Sequence, residues 1–357
     1  MSDNSMNQDE VDVVITALNP NLGPFLEEWR PVLTPYHLII VKDPILDHKQ
    51  QDLNIPPGFN SDVYTKSHME TLLGHDLLSS LHFSGLSARY FGYLVSTRRY
   101  IVAIDPDCVP MIDEKGHLVD PIKQHLQNLT SPSTPYYFNT LYDPYRPGTD
   151  FVRGYPFSLR SGASTALSCG LWVGLPDYDA PTALVKAGLT NSRCVNAVMT
   201  VPRGAFFPVS GVNLAFDKSL IGVAMFSGLL MQGKTRYETL EDIWAGLCAK
   251  AICDHLGYGA KSGLPYVVRR KGGGSEALEA LKKEWKGVKW MEEVLPFFQS
   301  LTLPRTAVTA EDCILEIAKN VKVGLGGVDA AFVHAAVAME DWVRAWKSVL
   351  QSGSSQP

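Results

Sequence analysis

A chain of 357 residues, 45% hydrophobic and 19% charged, can bury a large core, which excludes global disorder and suits one large α/β domain with an extension. Its net charge of −5 gives no general pull toward nucleic acid or anionic membrane and leaves room only for a local phosphate site. The acidic start MSDNSMNQDE has no apolar signal core, no apolar run nears the roughly 18 residues of a membrane span, and the six cysteines show neither a CxxC pair nor zinc spacing; a cytosolic protein with reduced thiols is expected.

In chain order, residues 1–10 read as a tail. Residues 11–15 are a β-branched apolar run stopped by Asn19-Pro20, a first strand. A short helix over 25–32 follows, with Pro24 near its start. Residues 37–41 form a second strand ended by Asp43-Pro44. One or two helices cover 70–91, and a third strand over 100–104 runs into Asp105-Pro106-Asp107. This alternation predicts a largely parallel sheet, in which ligands sit beyond the carboxyl ends of the strands. From 130 to 215 prolines, glycines and aromatics are dense, the texture of long ordered loops that build binding surfaces. A helix is expected over 235–255 and a flexible break at Gly272-Gly273-Gly274. Amphipathic helices are expected over 310–321 and 328–350. The domain reading is a main domain over 11–305, a helical C-terminal extension over 306–350 and a tail over 351–357.

Asp105 and Asp107, one residue apart at a strand end, can both reach one hard cation. Mn²⁺ or Mg²⁺ takes a few protein oxygens together with substrate phosphates and neutralises a leaving diphosphate; Asp-Pro-Asp is equally good turn chemistry. Arg153 and Arg160, in the aromatic run Phe151-Val152-Arg153-Gly154-Tyr155-Pro156-Phe157-Ser158-Leu159-Arg160, can fork onto phosphate oxygens or bond to carbonyls as structural arginines. Asp242 and Trp244, in Glu241-Asp242-Ile243-Trp244, suit a sugar, the acid for hydroxyls and the ring for stacking; an ordinary amphipathic helix is the alternative. Asp43, after the second strand, can meet ribose or uracil donors, or simply make a turn. Gly228-Leu229-Leu230-Met231-Gln232-Gly233-Lys234-Thr235 satisfies GxxxxGK[ST], but only a short, poor strand at 223–226 precedes it and its middle is bulky. There is no GxGxxG, hence no flavin or nicotinamide fingerprint.

The segments Trp29-Arg30-Pro31, Pro35-Tyr36-His37-Leu38-Ile39-Ile40-Val41, Phe138-Asn139-Thr140-Leu141-Tyr142-Asp143-Pro144-Tyr145-Arg146, the Arg153 to Arg160 run, Pro176-Asp177-Tyr178-Asp179-Ala180-Pro181-Thr182, Asn213-Leu214-Ala215-Phe216 and Ile252-Cys253-Asp254-His255-Leu256 make the chain resemble the reversibly glycosylated polypeptides, or UDP-arabinopyranose mutases, of plants and green algae. The likeness runs from about residue 11 to 346. It implies a GT-A-like fold, with a mixed, largely parallel sheet, that interconverts UDP-arabinopyranose and UDP-arabinofuranose using Mn²⁺ or Mg²⁺ and no flavin, in service of cell-wall polysaccharide synthesis. It also implies reversible glycosylation at Arg153, a role in activity for Arg160, and nucleotide seating by Arg89, which matches a family arginine. UDP-glucose, UDP-xylose and UDP-galactose are further candidate ligands. Homo- or hetero-oligomers in the cytosol or on the cytosolic face of the Golgi are implied too, with no nucleic acid and no membrane span. Departures stand at particular places. The family's Asp-Asp-Asp is Asp105-Pro106-Asp107, its Ser-His-Gly is Ser168-Cys169-Gly170, and its Trp-His-Ser is replaced around Val268-Arg269-Arg270. Three functions follow as expectations: an active mutase, a self-glycosylating transferase using another UDP-sugar, or a non-catalytic nucleotide-binding partner of an active subunit.

Overall fold

An Asp just ahead of a proline caps two helices in the first half of the molecule. The structure, a computed structural model, describes residues 8–49, 51–113, 115–140, 150–186, 188–229, 240–270 and 277–353. In order come β1 (Val11–Ala17), α1 (Gly23–Leu33), β2 (His37–Lys42), α2 (Pro44–His48), β3 (Asn60–Tyr64), α3 (Lys66–Leu81), α4 (Ala88–Val95), β4 (Tyr100–Ile104), β5 (Cys108–Pro110) and α5 (Pro121–Thr130). Asp43 caps α2, accepting from the Ile45 amide at 3.1 Å, with Pro44 preset in the first turn. Asp120 does the same for α5, ahead of Pro121.

The second half holds β6 (Thr165–Gly174), α6 (Ala180–Val185), β7 (Val198–Thr200), β8 (Asn213–Asp217), α7 (Lys218–Ile221), α8 (Glu241–Leu256), β9 (Gly259–Arg269), α9 (Ala277–Ser300), α10 (Ala310–Gly324) and α11 (Ala330–Gly353). The loop-like texture of 130–215 thus hides a ten-residue strand. The helix expected over 235–255 is α8; residues 235–239 and the glycine break at 272–274 lie outside the described residues.

The sheet order is β3-β2-β1-β4-β8-β6-β9-β5, with β7 also paired to β9. β8 runs antiparallel to both β4 and β6, and β6 parallel to β9. So β1, β2, β3, β4, β6 and β9 all point one way, and their carboxyl ends share one edge. This is the expected mixed, largely parallel arrangement, and it gathers Asp43, Asp105, Asp107, Asp177 and Arg269 along that edge.

Both faces of the sheet are covered, which is why β1 is buried at every position despite containing Asp12. Val13 and Ile15 face α1 and α5, while Val14 faces the layer of α3, α4, α8, α10 and α11. Asp12 is satisfied by the Ser96 hydroxyl at 2.6 Å and by His37 Nδ1 at 2.8 Å. Helix α4 lies so close to the sheet that a Cβ at Gly92 would stand 2.5 Å from Val14 Cγ1. The C-terminal helices do not form a separate layer. Trp342 of α11 stacks on Phe226 with centroids 4.5 Å apart and donates its indole N–H to the Val223 carbonyl at 2.8 Å. The expected extension is therefore continuous with the main core.

Candidate functional site

Asp105 follows β4 directly. Its amide donates to the Val212 carbonyl at 3.2 Å, tying it to the start of β8. Its carboxylate, 7% exposed, accepts from Arg89 Nη2 at 2.9 Å. Arg89 comes from α4 and is equally buried; the space for it is made by Gly211, where a Cβ would lie 1.6 Å from Arg89 Nη1. Asp242, in the first turn of α8, accepts from the Gly211 amide at 3.1 Å. Burial raises the Asp105 and Asp242 carboxyls, and the Arg89 charge pulls both back down. Behind them Glu241 is pushed up by burial to about 7 while accepting from the Ser227 and Ser87 hydroxyls.

A second ion cluster adjoins the first. Asp107 accepts from Arg269 Nε at 2.9 Å, and Arg269 Nη1 donates to Asp177 at 2.9 Å. Asp177 follows β6, and Arg269 ends β9. Burial works against the Arg269 charge, but Asp177 and Asp107 more than restore it. The carboxylates of Asp105, Asp107, Asp177 and Asp242 therefore meet at one edge with two arginines between them. Asp43 shares the edge two strands away, roughly 10 Å across the sheet, with one carboxylate oxygen engaged as the α2 cap.

A divalent metal at Asp105 and Asp107 is the expectation from the sequence. Asp105 is committed to Arg89 and Asp107 to Arg269, and among the described residues no group of three or more His, Cys, Asp and Glu is placed to hold a metal ion. As arranged, Asp105 and Asp107 do not fit Mn²⁺ or Mg²⁺, which demand several free oxygens.

Arg153 and Arg160 stand elsewhere. Their loop is anchored where Ser133 and Ala163 exchange backbone hydrogen bonds at 2.8 Å, just ahead of Thr165, the first residue of β6. That is the amino edge of β6 and β9, opposite the carboxylates. The Arg160 guanidinium lies 3.8 Å from the Phe157 ring centroid and 5.2 Å from that of Phe151, with a 3.5 Å contact to the Tyr155 carbonyl. As placed, it braces the aromatic loop. Arg153 is exposed and, among the described residues, makes no hydrogen bond or ion pair.

Trp244 is a second correction. It is 1% exposed and packed against Trp290, Phe298 and Phe332, with centroids 5.9, 5.5 and 5.5 Å away. No sugar can stack on a ring inside the core. Trp244→Ala is expected to cost about 3–5 kcal/mol of stability, read by urea unfolding, with UDP affinity of the folded protein unchanged. The GxxxxGK[ST] match fails at its start, since Val223 lies in a 3-10 turn (Gly222–Ala224) and not in a strand; residues 230–235 lie outside the described residues.

The cluster partners Asp177 and Gly211 are not marked by any local motif. Asp177 is signalled only by its place after a strand whose glycines and serine disguise it. Cys169 is buried on β6 beside Leu214; burial and nearby Asp242 push its thiol up.

The profile of the family described as "Reversibly glycosylated polypeptide" matches residues 6–351. The chain belongs to this family. Among curated reversibly glycosylated polypeptide relatives, the probable UDP-arabinopyranose mutase 5 of Arabidopsis thaliana is 55% identical over 99% of this chain and 100% of that protein. The probable inactive UDP-arabinopyranose mutase 2 of Oryza sativa subsp. japonica is 53% identical over 95% and 96%. Among solved structures, S. aureus TarS in complex with UDP-GlcNAc aligns at a TM-score of 0.37 and 9% identity, over 96% of this chain and 92% of that one; at that level it adds nothing to the fold seen directly.

Proposed function

We propose that this family member binds a UDP-sugar at the Asp105 edge and acts as a UDP-arabinopyranose mutase. The observation that carries the reading is the 55% identity over the full length of a protein named probable UDP-arabinopyranose mutase 5. Net conversion breaks the bond from C1 to the ring oxygen O5 and forms one from C1 to O4, moving one proton from O4 to O5. Asp242 supports the reading as the group to carry that proton, because burial raises its carboxyl toward neutrality. Arg89, enclosed beside Gly211, supports the reading by holding the Asp105 carboxylate in place at that edge. Reversible glycosylation of Arg153, assembly into homo- or hetero-oligomers, and residence in the cytosol or on the cytosolic face of the Golgi belong to the same proposal. Among the described residues no helix is long and apolar enough to cross a membrane.

The second reading, a nucleotide-binding subunit without mutase activity, is favoured by two observations. One relative, 53% identical, carries the name probable inactive, and by the resemblance the chain departs from the family pattern at Ser168-Cys169-Gly170 and around Val268-Arg269-Arg270. Incubation with UDP-arabinopyranose and chromatography of the product decides. The furanose isomer is expected from a mutase, while unchanged nucleotide-sugar with UDP binding intact establishes the partner reading.

A further inference from the structure

We infer that Arg269 is the resident cation of this site, so that nucleotide binding here needs no divalent metal. The inference rests on the UDP-sugar reading above and assigns the group that meets the diphosphate.

The backbone of Arg269 is fixed from two sides, paired to Cys108 of β5 and to Gly174 of β6. Its carbonyl accepts from the Leu175 amide at 3.0 Å, and Gly174, at φ 88°, passes so close that a Cβ there would stand 2.3 Å from the Arg269 oxygen. The side chain then reaches between the loops after β4 and β6. Nε and Nη1 are each 2.9 Å from one carboxylate, so the guanidinium occupies the space between Asp107 and Asp177. A metal shared by those two carboxylates would have to stand there.

A guanidinium has five N–H donors. Two are used, and the Arg269 side chain is still 20% exposed. Among the described residues nothing accepts from Nη2, which leaves a forked pair of donors at the mouth for phosphate oxygens. Unlike a metal ion, this cation cannot dissociate. It also brings one positive charge instead of two, so the Asp107–Arg269–Asp177 triad keeps a net charge of −1. The diphosphate is then held by directed hydrogen bonds more than by net charge, and affinity should be weaker than a metal-bridged site gives.

Calorimetry with UDP as the probe tests this on the full chain, in EDTA and in Mn²⁺. The two affinities are expected to agree within about twofold. Arg269→Ala should weaken UDP binding at least about tenfold in EDTA by removing the charged donors. Arg269→His places an imidazole between two carboxylates, a three-ligand set, and should make UDP binding Mn²⁺-dependent. Thermal melts check that both variants fold, and Arg269→Lys, which keeps the charge but loses the fork, should fall between wild type and Arg269→Ala. Wild-type binding seen only with Mn²⁺ overturns the inference and leaves the UDP-sugar reading standing. Unchanged affinity in Arg269→Ala, or no Mn²⁺ dependence in Arg269→His, also overturns it. No UDP binding by wild type under either condition overturns the UDP-sugar reading, and the inference with it.

Discussion

Asp105→Ala is expected to lower folding stability by about 3–5 kcal/mol, the loss that follows when one partner of a buried ion pair is removed. Arg89 keeps its 2.9 Å contact from Nε to the Leu86 carbonyl but loses the carboxylate that neutralises it. It cannot swing to water, because Gly211 closes over it. Asp242 also feels the Arg89 charge, and it sets the lower end of the range. The stranded charge, not the missing hydrogen bond, dominates the cost. It follows that removing both charges, as in Arg89→Met with Asp105→Leu, should recover most of the stability. Urea unfolding of wild type, Asp105→Ala and the double variant measures this. A loss below about 1 kcal/mol for Asp105→Ala alone, the range of solvated surface pairs, would show that the pair is open to water.

Arg153 is expected to receive sugar from the nucleotide site of a second copy of the chain, and not from its own. Cys169 of β6 is level with Ala103, two residues before Asp105, through their shared partner Leu214 in β8. Thr165, where the arginine loop joins β6, is four residues below Cys169, roughly 13 Å along the strand. The loop is held there by Ser133 and by ring contacts of Tyr155 with Tyr137 and Phe151, at 4.9 and 4.7 Å between centroids. With radiolabelled UDP-sugar, Arg153→Lys should take no label, since lysine lacks the planar fork. An Asp107→Ala chain should also stay unlabelled alone, having lost the carboxylate that aims Arg269. Mixed, the two should restore labelling, all of it on the Asp107→Ala chains at Arg153, and excess UDP should chase it off. An unlabelled mixture, with wild type alone taking label, would mean that the loop reaches its own site.

Much of the first half was legible because β1, β2 and β4 are short apolar runs, each with an Asx-Pro stop just beyond it; β3, Asn-Ser-Asp-Val-Tyr, has neither and stays hidden. Such stops end strands and start helices for local reasons. The same locality put Asp105 and Asp107 at a strand end. What stayed hidden depends on which strand lies beside which. β6, Thr-Ala-Leu-Ser-Cys-Gly-Leu-Trp-Val-Gly, has glycines and a serine that blur any alternation. Without it the antiparallel turnabout at β8 is invisible, and with it the placement of Arg153 and Arg160 on the far edge. Trp244 misled for a related reason. One polar turn at Glu241-Asp242 suggested an exposed face, yet α8 is enclosed because helices from the end of the chain fold back over it.

That enclosure has a consequence for biosynthesis. The apolar faces of α3, α4 and α8 are covered by α10 and α11, which leave the ribosome last. Until Trp342 can slide against Phe226, a broad greasy surface stands open on a half-made chain. Such surfaces are where nascent proteins stick to one another or are held by chaperones, so premature stops anywhere before α11 should yield aggregates in place of a smaller working protein.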